Sequence, residues 1–141
     1  MHARILILAA LLGIASVATA APHHRVAQHA AARVDPLNGA WELSGPSVGE
    51  GLREVKFISA SRFHWTTWDT TSHEVVACGG GTSEHQGNVY FERLEYAQGN
   101  TSSLVGTLLA FRAELHGDTL IQRGMPGSAL PGLYEVWVRA R

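Results

Sequence analysis

Short runs of alternating apolar and polar residues recur along most of the chain, separated by clusters of Gly, Asn, Asp and Ser. No segment sustains the 3.6-residue period of an amphipathic helix. We expect most of the intervening segments to be short hairpin connections. The pattern therefore predicts about eight β-strands, at residues 38–44, 52–60, 62–69, 73–80, 87–96, 104–115, 119–124 and 133–140.

A meander of this kind, with no crossover helices, predicts an all-β domain that is either a closed up-and-down barrel or a sandwich. Closure removes the sheet edges that would otherwise pair with other chains, so an antiparallel up-and-down barrel is favoured. The run Gly79, Gly80 and Gly81 predicts a bend or bulge, as is common where barrel strands turn corners.

Alternation also assigns side chains to faces. The strand at 62–69 stays ambiguous, because Phe63 and Trp65 oppose His64 and Trp68, and both faces carry an aromatic ring. In three other strands each of the following sets shares one face: Gly39, Trp41 and Leu43; Tyr90, Glu92, Leu94 and Tyr96; Leu133, Glu135, Trp137 and Arg139.

The N-terminus has the pattern of a secretory signal. One basic residue, Arg4, precedes an apolar run that ends in Ala18-Thr19-Ala20, and the run is too short for a comfortable membrane span. We therefore expect a signal peptide at 1–20, cleaved after Ala20, a flexible leader at 21–35, and one folded domain at 36–141. This predicts a periplasmic or secreted protein without a membrane span after cleavage.

Composition narrows the function classes. The 141 residues include 11 basic and 12 acidic side chains, for a net charge of −1, which argues against a nucleic-acid partner. A single cysteine, Cys78, excludes an internal disulfide framework. It lies in an apolar run, which favours a buried, unreactive thiol, whereas an exposed thiol could link two copies of the chain. The oligomeric state is left open.

Several short segments together carry a family resemblance, which covers roughly residues 36–140. They are Leu37-Asn38-Gly39-Ala40-Trp41, Phe63-His64-Trp65, the glycine run, Tyr90 to Tyr96, Leu104-Val105-Gly106 and Glu135 to Arg139. In order and spacing they resemble small secreted bacterial lipocalin-like domains. The resemblance implies a calycin-type barrel of about eight strands, closed at one end where Trp41 packs on Arg139. A cation–π contact between them would contribute about 0.5–2 kcal/mol.

Glu92 and Glu135 are the candidate polar groups of the interior, because each alternates with apolar or aromatic residues on its face. A buried carboxylate is costly unless it is paired. One interpretation pairs Glu135 with Arg139 or Arg112 in a structural ion pair. The other makes these carboxylates ligand anchors or general acid–base groups with raised pKa. We expect pairing for Glu135 and a functional role for Glu92, which has no cation among its neighbours on the strand.

The histidines do not form a metal motif. His64 is expected on the surface if Phe63 and Trp65 fill the core, and His23, His24 and His29 lie in the leader, where we expect them to be solvated. No nucleophile, phosphate-loop, dinucleotide or zinc motif is present. The sequence therefore predicts no metal and no other cofactor.

The hypothesis favoured by the sequence is that the barrel binds a small, partly apolar molecule in its lumen. Two alternatives stay open: a barrel isomerase or lyase with Glu92 or Glu135 as general acid–base, and a structural or interaction domain with a filled core. The expected ligand-binding residues are Phe63, Trp65, Tyr90, Glu92, Phe111, Glu135 and Trp137.

Overall fold

The computed structural model describes residues 34–45 and 48–141. The predicted signal peptide and all but the last two residues of the predicted leader lie outside the described residues. The strands are β1 (Gly39–Ser44), β2 (Leu52–Ser59), β3 (Arg62–Asp69), β4 (Val75–Gln86), β5 (Val89–Gln98), β6 (Leu108–His116), β7 (Thr119–Gly124) and β8 (Tyr134–Arg139), with a short 3-10 helix at Ser102–Leu104.

Each strand pairs antiparallel with the next, and β8 pairs with β1, so the sheet closes into an eight-stranded up-and-down barrel. The predicted fold class is confirmed, and the architecture is consistent with a calycin-like fold. Among the described residues, no helix is long and apolar enough to cross a membrane.

Five of the eight predicted strands agree with the structure to within one residue at each end. The other three are displaced because the hairpin turn after β4 lies at 87–88 and a long loop with the 3-10 helix precedes β6. β4 therefore continues through the glycine run for six residues beyond its predicted end at residue 80, to Gln86.

The glycine run accommodates the predicted bulge. Gly80 pairs with Tyr96 but Gly81 pairs with Leu94, so β5 contains one extra residue at this point. A Cβ on Gly81 would collide with the carbonyl oxygen of Arg93, which explains the need for glycine there. The bulge reverses the alternation of β5. The prediction that Tyr96 shares the inner face of Tyr90 was therefore wrong, and Tyr96 lies outside, 45% exposed.

The two ends of the barrel differ in their connections. One end, here called the closed end, carries the start of β1, the end of β8 and the tight turns at 60–61, 87–88 and 117–118. The other, the open end, carries the longer connections that follow β1, β3, β5 and β7. This asymmetry determines where the interior is accessible.

Candidate functional site

The closed end is sealed by one tryptophan and one arginine. Trp41 is fully buried and donates its indole N–H to the carbonyl of Leu37 over 2.8 Å. Arg139 lies opposite Trp41 in the pairing of β1 with β8, with its guanidinium carbon 4.1 Å from the centre of the indole ring. The contact implied by the lipocalin-like resemblance is therefore present.

Arg139 also ties the segment before β1 to the barrel. Its Nη1 donates to the carbonyl of Asn38 over 3.0 Å and its Nη2 to that of Pro36 over 3.1 Å. Gly39 has a φ of +141°, and a Cβ there would collide with Nη1 of Arg139. The Gly-x-Trp spacing thus leaves room for the guanidinium and supplies the ring beneath it.

A buried lysine lies at the centre of the barrel. Lys56, on β2, is 3% exposed, and its Nζ donates to Oε1 of Glu92 over 2.9 Å and to Oε1 of Gln122 over 3.1 Å. The same Nζ lies 4.5 Å from the centre of the Trp137 ring. Lys56 therefore holds together side chains from β2, β5, β7 and β8.

Two further carboxylates surround this lysine. Oε2 of Glu135 lies 4.0 Å from Nζ of Lys56 and accepts the indole N–H of Trp137 over 3.0 Å. Glu54, one inward position along β2 from Lys56, accepts the hydroxyl of Thr67 over 2.8 Å. Lys56, Glu54, Glu92, Glu135 and Gln122 are called the central cluster below.

Burial and charge shift the titration of the central cluster. Burial raises the pKa of Glu92 and of Glu54, and the ammonium of Lys56 opposes the rise in both. Burial disfavours the ammonium of Lys56, but the carboxylates of Glu92, Glu135 and Glu54 outweigh it, so the pKa of Lys56 is raised. Lys56 therefore stays protonated, and its amine is no nucleophile at neutral pH.

Above the central cluster the interior is a cavity of about 570 Å³ rather than packed side chains. Glu54, Lys56, Glu92 and Glu135 line it, and its wall rises to the loops of the open end. The volume falls within the range of small-molecule sites. The apolar part of the wall is formed mainly by Leu52, Trp65, Leu94, Leu104, Leu109, Phe111, Leu130 and Leu133.

The residues expected to bind a ligand are all in the interior, but only four reach the cavity. Trp65, Glu92, Phe111 and Glu135 line it. The other three, Phe63, Tyr90 and Trp137, are buried in the filled part of the barrel and do not line the cavity. Trp137 touches the site indirectly, through its contacts with Lys56 and Glu135.

The predicted ion pair of Glu135 with Arg139 was wrong, and so was the alternative with Arg112. Four residues along a strand span about 13 Å, and Arg139 is held at the closed end by Trp41 and two carbonyls. Arg112 is exposed. Glu92 has no cation among its neighbours on β5, as expected, but the inference that it is unpaired was wrong, because Lys56 reaches it from β2.

His64 and Cys78 lie on the outer face of the barrel. His64, on the outer face as expected, contacts the hydroxyls of Tyr96 and Thr66 at 3.0 and 2.8 Å. Cys78 is opposite Thr66 in the β3–β4 pairing and is partly exposed, so the expectation of a buried thiol was wrong. Within the described residues, no group of three His, Cys, Asp or Glu side chains could hold a metal ion.

Sequence reasoning did not find Lys56, Glu54 or Gln122. A signal was nevertheless available for β2. The tight turn at 60–61 places Ile58 opposite Phe63 and Lys56 opposite Trp65, and paired residues of antiparallel strands share a face. Once Phe63 and Trp65 are assigned to the core, Lys56 and Glu54 follow them inward.

Neither a scan against models of known protein families nor a search of curated proteins gives a match to this chain.

Proposed function

We propose that this protein is an exported, lipocalin-like protein that binds a small, partly apolar molecule in the open half of its barrel. The observation that carries the proposal is the cavity of about 570 Å³ between the open-end loops and the central cluster. An apolar wall with a few convergent polar groups is typical of small-molecule sites. Export rests on the sequence pattern of residues 1–20.

The two alternatives have less support. A domain with a filled core would not be expected to retain a cavity of this size. Catalysis by Glu92 or Glu135 requires a carboxylate that is free to exchange a proton with a substrate. Glu92 is bonded to Lys56, and Glu135 accepts the indole N–H of Trp137, which favours positioning of a ligand over proton transfer.

Fluorescence titration with N-phenyl-1-naphthylamine, an uncharged probe that brightens in apolar surroundings, tests the proposal. We expect saturable binding at one site. Ala77→Phe should weaken binding by about tenfold or more, because Ala77 lines the cavity and a benzyl group there would occupy its mouth. Circular dichroism checks that the variant is folded.

Ala110→Phe is the matched control. Ala110 is adjacent in sequence to Leu109 and Phe111, which line the cavity, so its side chain lies on the outer face of β6. We expect it to leave the affinity unchanged. No saturable binding to the wild type, or the same loss in both variants, would overturn the proposal.

A further inference from the structure

The charges that line the cavity do not balance. Three carboxyl groups, those of Glu54, Glu92 and Glu135, face one cation, Lys56. Neither arginine nor histidine contributes to the wall within the described part of the chain. The cavity therefore has more acidic groups than cations. This excess is unfavourable, because a charge withdrawn from water is costly unless it is paired.

Lys56 neutralises only part of this acidic charge, because a single ammonium faces three carboxyl groups and hydrogen-bonds to only one of them. Its ammonium donates to Glu92 and Gln122 and stays 4.0 Å from Glu135. Glu54 has a hydroxyl, that of Thr67, as its hydrogen-bond partner. Among the described residues, Glu54 thus has no cation as a hydrogen-bond partner, and Glu135 has only its 4.0 Å ion pair with Lys56. Burial and, to a lesser extent, the charge of Glu135 raise the pKa of Glu54.

The remainder of the wall suits an apolar body with an electropositive end. Trp65 and Phe111 contribute aromatic rings to the wall, and such rings attract alkylammonium groups through their π-faces.

We propose that the molecule bound in the cavity is a cationic amphiphile, in which a protonated amine is held by Glu54 and Glu135 and an apolar chain extends along the wall towards the open-end loops. This inference rests on the proposed function and adds the chemical class of the ligand. An anionic amphiphile such as a fatty acid would increase the excess of negative charge. An aldehyde would meet Lys56 in its unreactive, protonated form.

Three probes with the same eight-carbon chain test the inference: 1-aminooctane, octan-1-ol and octanoate. Each is titrated at pH 7 against protein loaded with N-phenyl-1-naphthylamine. We expect the amine to displace the probe at a concentration about tenfold or more below that required for the alcohol, and octanoate to be the weakest. An alcohol or a carboxylate that competes as well as the amine would overturn the inference.

The failures of the two proposals are distinguishable. If N-phenyl-1-naphthylamine binds but the amine does not displace it preferentially, the lumen binds ligands but not amines selectively. If N-phenyl-1-naphthylamine itself does not bind, both proposals are overturned.

Glu54→Gln locates the recognition on one carboxylate. This variant removes a charge from the cavity and keeps its shape, so we expect affinity for 1-aminooctane to fall by about tenfold and that for octan-1-ol to stay the same. Glu74→Gln is the control, because Glu74 is an exposed acidic residue at the open end. An equal loss for amine and alcohol, or an equal loss of amine binding in the control, would contradict the assignment.

Discussion

The two fully buried tryptophans of this barrel each have a cation against the ring, one at the closed end and one at the centre. Arg139 lies 4.1 Å from the ring centre of Trp41 at the closed end, and Lys56 lies 4.5 Å from that of Trp137 at the centre. The geometry of the two contacts is similar. Their surroundings are not, and this difference separates a structural element from a candidate site.

At the closed end the cation donates hydrogen bonds to neutral groups, forms one ion pair at the surface and reaches water. Arg139 donates to two backbone carbonyls, and its side chain is one-third exposed, with Asp118 nearby at the surface. At the centre, Lys56 is surrounded by acidic side chains and has almost no access to solvent. Arg139 thus links the segment before β1 to β8, whereas Lys56 holds carboxylates at the base of the cavity.

We infer from this comparison that the closed half of the barrel, around Trp41 and Arg139, mainly stabilises the fold. The open half, from the central cluster to the open-end loops, contains charged groups that lower stability. Residues held in unfavourable surroundings by the rest of a fold often belong to functional sites. If the two halves differ in this way, substitutions in them should change the free energy of unfolding by different amounts and with a different dependence on pH.

Trp41→Ala should have one of the two largest effects on stability. Truncation of a fully buried tryptophan leaves a sealed cavity, so we expect a loss of about 3–5 kcal/mol in the free energy of unfolding. Trp65→Ala should cost less, about 2–3 kcal/mol, because Trp65 already borders a cavity. Urea unfolding followed by far-ultraviolet circular dichroism measures both, and equal losses would mean that the two halves are packed alike.

Much of the architecture behind this comparison was predictable from the sequence. Period-two alternation and the turn residues predicted the barrel, and the resemblance to lipocalin-like domains implied the closed end, with Trp41 packed on Arg139. The strands depend on the local sequence pattern, and the closed end depends on the pairing of β1 with β8, which closure of the barrel requires. The β5 bulge was only half predicted: the glycine run marked its place, but its effect on Tyr96 depends on the register between two strands.

The charged interior was predicted less well, because it is formed by side chains from four strands. Lys56 reaches Glu92 across 36 residues of sequence and Gln122 across 66. Considering Glu135 on its own strand led to Arg139 as the partner, although the nearby cation belongs to β2. Periodicity places a residue on a face, but the pairing of charges also requires the register of every strand around the barrel.

The second prediction exchanges each cation for methionine. Lys56→Met leaves three carboxyl groups in the interior with no cation, so we expect a loss of about 3–5 kcal/mol at pH 7. Arg139→Met keeps part of the packing on Trp41 and should cost about 1–3 kcal/mol. Urea unfolding across a range of pH measures both variants.

The pH dependence separates the two variants more sharply than the size of the loss. Without Lys56, the folded state binds protons on its carboxyl groups more tightly than the unfolded state does, so the loss should shrink as the pH falls towards 5. Arg139 donates to two carbonyls, which do not titrate, and its one acidic partner, Asp118, is largely exposed, so its loss should stay nearly constant over this range. Parallel pH profiles would contradict the proposed difference between the closed end and the central cluster.

The smallest effect is expected for Glu54→Gln, and it should be a gain. Burial raises the pKa of Glu54 above its usual 4.5, so the folded state binds this proton more strongly than the unfolded state. Stability then falls as the pH rises from 4.5 through the raised pKa. The Gln variant lacks this fall, and we expect it to exceed the wild type by about 1 kcal/mol at pH 7. Thermal unfolding at several pH values should show the advantage vanishing near pH 4.5, with Glu74→Gln showing none.

A variant less stable than the wild type at pH 7 would mean that Lys56 stabilises the Glu54 carboxylate in the folded state. The charges of the open half would then stabilise the fold, as Arg139 does at the closed end. The excess of carboxyl groups would have a structural role and would not be evidence for a ligand.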